Sequence, residues 1–170
     1  FPERIISPGD YFIVCQIQDT SLFSVYGLTM GVKSFPALTD AGKLLYISDQ
    51  DLMLVHGVEY SPDWYGDVLK DGGGWSLEMI DEDYPFFQEG NWKASAANEG
   101  GTPGRVNSVA GANPDEQFEG FANVFPTDEN TLEVSFPESV SMPVACSECL
   151  NIEGVSVDSL FATDPLLRTF

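Results

Sequence analysis

Residues 73–78 read Gly73-Gly74-Trp75-Ser76-Leu77-Glu78, and residues 100–108 read Gly100-Gly101-Thr102-Pro103-Gly104-Arg105-Val106-Asn107-Ser108. Between them stand an acidic run, Asp81-Glu82-Asp83, and the pair Asn91-Trp92. Glycine reaches left-handed backbone without steric cost, so these clusters mark turns or sharp corners. Indoles flanked by such corners fill volume, and Trp75 and Trp92 are read as packing residues rather than as a sugar-stacking platform. Gly101, Pro103 and Gly104 are read in the same way, as structural corner residues. The stretch holds no nucleophile motif, and its glycines do not spell the G-x-x-x-x-G-K loop that cradles phosphates. It is architecture.

Upstream, Pro8-Gly9-Asp10 is a turn signal before the apolar run of residues 11–15, read as a buried strand. Asp19 is placed to cap a short helix running to Tyr26, with Gly27 as its stop. Residues 31–38 are read as irregular. Residues 43–47 and 52–60 form an expected hairpin. In its second strand Leu52, Leu54, His56, Val58 and Tyr60 share one face, opposite Met53, Val55 and Glu59. Residues 61–74 read as a loop, residues 75–80 as a strand with Trp75, Leu77 and Met79 on one side, and residues 81–90 as an acidic loop. Residues 110–117 have the composition of a linker. Beyond it come strands at 123–126 and 131–136, joined by a turn at Asp128-Glu129-Asn130, and a further strand candidate at 149–157. Short strands, frequent glycine and proline turns and little helix argue an all-β sandwich.

Composition narrows the function classes. The 27 acidic residues against seven lysines and arginines give a net charge of −20. Nucleic-acid binding relies on cationic side chains that release condensed counterions, and this surface would repel phosphates. The hydrophobic fraction of 43% is that of a folded chain, and no apolar run approaches the ~20 residues needed to span a bilayer. The chain opens on Phe1 rather than methionine, the expectation for a processed or excised piece.

Candidate sites follow from the residues that remain. Trp64 and Tyr65, after Pro62-Asp63, are read as exposed loop aromatics suited to a ligand or partner. Asp81, Glu82 and Asp83 are the densest acidic cluster; calcium, which wants several converging oxygens, is the one metal they could take, although EF-hand spacing is absent. Cys15 is read as a buried thiol. Cys146 and Cys149 form a lone C-x-x-C, which leaves a local disulfide or two reduced thiols open. Zinc would need a second ligand pair, and His56 is the single histidine. That histidine lies in an apolar strand without a partner serine or cysteine motif, so no catalytic residue is assigned and an enzyme is not expected.

The order of these elements resembles the lamin-tail domain as it occurs in exported bacterial proteins. The carriers are residues 73–78, the Asn91-Trp92 pair and residues 100–108, with Pro8-Gly9-Asp10-Tyr11 and the strand ending in Val58-Glu59-Tyr60 upstream. The resemblance spans residues 1–109 and implies a non-catalytic immunoglobulin-like β-sandwich lacking its first strands. After the 110–117 linker, residues 118–170 resemble more weakly the N-terminal part of a bacterial Ig-like domain, through residues 130–136 and Asn151-Ile152-Glu153-Gly154. The implied function is a structural or interaction module of a bacterial cell-surface or envelope-assembly protein, located outside the cell. Other segments of the parent protein or partner chains would complete its sheets. The alternative is a carbohydrate-binding accessory module of a secreted hydrolase or nuclease, with surface glycans as ligand.

Overall fold

Residues 43–60 form the expected hairpin, but its second strand begins at Leu54, and Leu52 and Met53 fall in the connection instead of on the strand faces. The computed structural model, which describes residues 5–84, 89–113, 119–140 and 150–170, is strand-rich, with small sheets and short helices. Its chain divides into two compact units, each assembled from separated stretches. The first comprises residues 1–41, 62–80 and 92–112; the second comprises residues 42–61, 81–91 and 113–170.

In the first unit, β1 (Ile13–Gln16) pairs with β2 (Thr29–Val32) in parallel, Cys15 opposite Gly31. Parallel partners need a crossover of about a dozen residues. Residues 17–28 supply it through a 3-10 turn, Ile17–Asp19, and α1 (Thr20–Phe23). β2 runs into the stretch that the sequence reads as irregular, because Gly31 weakens any strand signal. The reason for that glycine is tertiary: a Cβ there would lie 2.7 Å from the Ile17 Cα. Cys15 is buried, as expected of a thiol acting as a small hydrophobe.

Asp19 does not cap α1 with its side chain. The 3-10 turn carries the chain into the helix already bent, so Asp19 sits at φ −95° and ψ 0° instead of the extended conformation that aims a cap. Asp67 does have that conformation, at φ −147° and ψ 114°, and its carboxylate accepts from the Leu69 amide at 2.9 Å. It opens α2 (Val68–Asp71), which follows a 3-10 turn at Pro62–Tyr65. The expected loop at 61–74 is therefore partly helical. β5 (Leu77–Met79) and β6 (Trp92–Ala94) complete the unit as an antiparallel pair.

In the second unit, β3 (Lys43–Ser48) and β4 (Leu54–Tyr60) pair antiparallel with a register shift at Ile47/Ser48. β7 (Asn123–Pro126) and β8 (Leu132–Ser135) form a second hairpin, with Val124 opposite Val134. The Asn130 amide donates to Asp128 in the connecting turn, the role expected there. Val134, Phe136 and Phe170 are the buried core, joined by Val140, Leu150, Leu160, Ala162 and Leu167. Phe136 meets Phe170 edge to face, ring centres 5.9 Å apart. The strand expected at 149–157 reduces, among the described residues, to a single bridge between Ile152 and Val155. Cys146 and Cys149 lie outside the described residues, as do residues 114–117 of the linker.

No helix among the described residues is long and apolar enough to cross a membrane.

Candidate functional site

Parity along β5 puts Trp75, Leu77 and Met79 on one face and Ser76, Glu78 and Ile80 on the other. A carboxylate in such a strand would ordinarily turn to water. Glu78 instead is only 4% exposed. Its Oε1 accepts from the Thr102 hydroxyl at 2.7 Å and from the Ser76 hydroxyl at 3.3 Å. Its Oε2 accepts from the Ser108 amide at 2.7 Å and from the Ser108 hydroxyl at 2.6 Å. Burial pushes this carboxyl up, but the hydrogen bonds from Ser108, Thr102 and Ser95 outweigh it and hold the group below its ordinary value.

The segment at 100–111 is thereby laid along β5. The Ser76 amide donates to the Gly100 carbonyl at 2.8 Å, the Asn107 side chain to the Met79 carbonyl at 3.0 Å, and the Gly111 amide to the Ile80 carbonyl at 2.9 Å. Gly100, at φ +87°, passes so close that a Cβ would collide with the Gly74 carbonyl oxygen. The two glycine-rich motifs of the sequence are thus two sides of one hydrogen-bonded structure.

The four aromatic residues singled out in this half of the chain also come together. Trp64 stacks on Trp92, with ring centres 6.3 Å apart and planes 23° from parallel. The Tyr65 hydroxyl donates to the Trp75 carbonyl at 3.0 Å. Lys70 places its ammonium 4.5 Å from the centre of the Trp75 ring and donates to the Ser95 carbonyl at 2.6 Å. Trp64 and Tyr65 are half-buried, not the exposed loop pair the sequence suggests. Asp67 caps α2 directly after these aromatics, and Lys70 of α2 is the residue that reaches Trp75.

In the second unit the acidic loop is organised by Asn91, which is fully buried at 0% exposure. Its carbonyl accepts from the Asp81 amide at 2.9 Å, and its amide group donates to the carbonyls of Asp81 and Tyr84. Asp81, itself buried, accepts from the Asp83 amide at 3.0 Å and the Asn113 amide at 2.6 Å. Asp81 therefore serves a backbone-binding role inside the loop, while Glu82 and Asp83 are exposed. Among the described residues no three histidine, cysteine or acidic side chains converge as a metal site would require. Asn113 is also tied to Gly90 and Asn91, so the start of the expected linker is anchored.

No local pattern in the sequence marks Thr102, Ser108, Asn91 or Ser95 as a partner of a buried polar group. A signal did exist: Glu78 sits mid-strand between Leu77 and Met79, a carboxylate position that demands partners. His56 in β4 is partly buried, and burial lowers its imidazole below the ordinary value. No family model, curated protein or solved structure matches the chain.

Proposed function

We propose that this chain is a non-catalytic structural and interaction module of an exported bacterial cell-surface or envelope-assembly protein, built on immunoglobulin-like β-sandwich modules of the lamin-tail kind. The observation that carries the interaction reading is β7. All four of its residues are exposed, including Val124 at 50% and Phe125 at 57%, which point to opposite faces. Val134 exchanges both backbone hydrogen bonds with Phe170, each 2.9 Å. By the alternation of antiparallel ladders, the N–H and C=O of Val124 then point away from β8, towards an edge that no other described strand covers. Among the described residues no strand pairs with the outer edge of β7, and an exposed strand with such an edge is a template for another chain segment.

The scaffold reading draws on Glu78. The most elaborately hydrogen-bonded carboxylate of the motif region has its oxygens occupied by Thr102, Ser76 and Ser108, which is the work of a structural link. The half-buried Trp64 stack fits the same reading better than a glycan platform does. Surface labelling of intact cells with an antibody against this chain tests the location, and confinement to the cytosol would overturn it. Equilibrium sedimentation and denaturation test completion by another segment: a monomer that unfolds cooperatively in isolation would count against it. Glycan-array binding that disappears on Trp64→Ala would favour the carbohydrate-binding alternative.

A further inference from the structure

Two described residues other than glycine have left-handed backbone, Leu52 at φ +64° and Leu167 at φ +55°. Both line the same cleft of about 410 Å³ in the second unit, together with Tyr46, Met53, Phe161 and Phe170. Left-handed backbone disfavours any side chain that carries a Cβ, and strain of this kind gathers at functional sites. Leu52 carries a second penalty. Its side chain is 84% exposed at the tip of the β3–β4 hairpin, where glycine or asparagine would satisfy the turn. The turn itself is secured by Asp49, whose carboxylate accepts from the amides of Asp51 and Met53 at 2.9 and 2.8 Å. Hence neither turn geometry nor burial within the unit accounts for a leucine at position 52.

We propose that this cleft receives an aliphatic or aromatic side chain of a peptide segment flanked by lysine or arginine. The volume is within the range of ligand sites, and Tyr46, Leu52 and Phe161 form an apolar rim that is largely exposed. A cleft with such a rim suits a side chain whose backbone remains outside; a small molecule would be engulfed. Charge selects the flanks. Asp164 lines the cleft, and Asp49 and Asp51 lie exposed beside Leu52. Eighteen acidic residues in the sequence of this unit face two basic ones, Lys43 and Arg168, neither of which lines the cleft. Such a field attracts a basic segment and repels an acidic one. The inference deepens the interaction-module reading and rests on it, and it can fail while β7-mediated assembly stands.

The test uses three synthetic pentapeptides titrated into the full chain: phenylalanine flanked by lysines, phenylalanine flanked by glutamates, and glycine flanked by lysines. The first should bind, and the other two should bind at least about tenfold more weakly, a difference of ~1.4 kcal/mol. Its affinity should fall as salt rises and should lose part of that dependence in Asp51→Asn. Leu52→Gly is the deciding variant, since glycine suits the left-handed turn: affinity for the first peptide should drop about tenfold while Tm stays level or rises. A lower Tm in Leu52→Gly would mean that the leucine serves the fold, which overturns the proposal. Equal binding of the lysine- and glutamate-flanked peptides, or no binding of the first, would overturn it as well.

Discussion

Glu78 shows how far a single residue departs from its local prospects. Neutral replacement by Glu78→Gln removes charge-assisted bonds and puts an amide donor against Thr102 or Ser108, each of which already donates there. We expect a loss of ~2–3 kcal/mol in urea denaturation; a change under ~0.5 kcal/mol would contradict the role assigned to the network. The pH dependence follows from the sign of the shift. The folded value lies below the ordinary 4.5, so the stabilisation is complete above about pH 4.5 and is lost as pH falls through the folded value. His56, lowered by burial, takes up its proton more readily when unfolded than when folded. Its share of stability therefore begins to decline as pH drops below the ordinary 6.5. Stability against pH should show both limbs, with His56→Gln flattening the upper and Glu78→Gln the lower.

At the level of elements, the loop between β5 and β6 depends on Asn91. Asn91→Ala would leave the Asp81 amide and two carbonyls without their buried partner, at a cost of ~2–4 kcal/mol, and should accelerate hydrogen exchange at the Asp81 amide. Protection at Asp81 that survives the substitution would show another group closing the loop. The aromatic cluster adds ring contact to the hydrogen bonds of Tyr65 and Lys70. Trp92→Ala removes the stacking partner of Trp64 and should cost ~3 kcal/mol, seen as a lower urea midpoint. The hairpin at 43–60 was legible because alternation and burial agree along β4, and the one at 123–135 because a turn at Asp128–Asn130 precedes an alternating strand. β2 and α2 were not, because Gly31 answers to Ile17 and the Asp67 cap stands inside a stretch rich in loop-forming residues.

Over the whole molecule the acidic excess dominates. The Arg105–Glu99 and Arg168–Glu59 ion pairs, at 3.7 and 3.5 Å, are both solvent-exposed. Pairs of that kind contribute little, whereas repulsion among 27 acids is long-ranged and screened by salt. Added sodium chloride should therefore raise Tm. A fall in Tm with salt would mean that attractive pairs outweigh the repulsion.

Sequence by itself determined that the chain is strand-rich, that two hairpins form at 43–60 and 123–135 and that Cys15 is buried. These follow from properties each residue has in its own neighbourhood: alternation, turn chemistry and backbone freedom. Only tertiary structure decided that the compact units interleave distant stretches, that Trp64 and Tyr65 turn inward, and that Glu78 faces Thr102 and Ser108. The physical reason is that a buried carboxylate is tolerated only where donors converge on it. Those donors lie 24 and 30 residues away, beyond the reach of any local pattern.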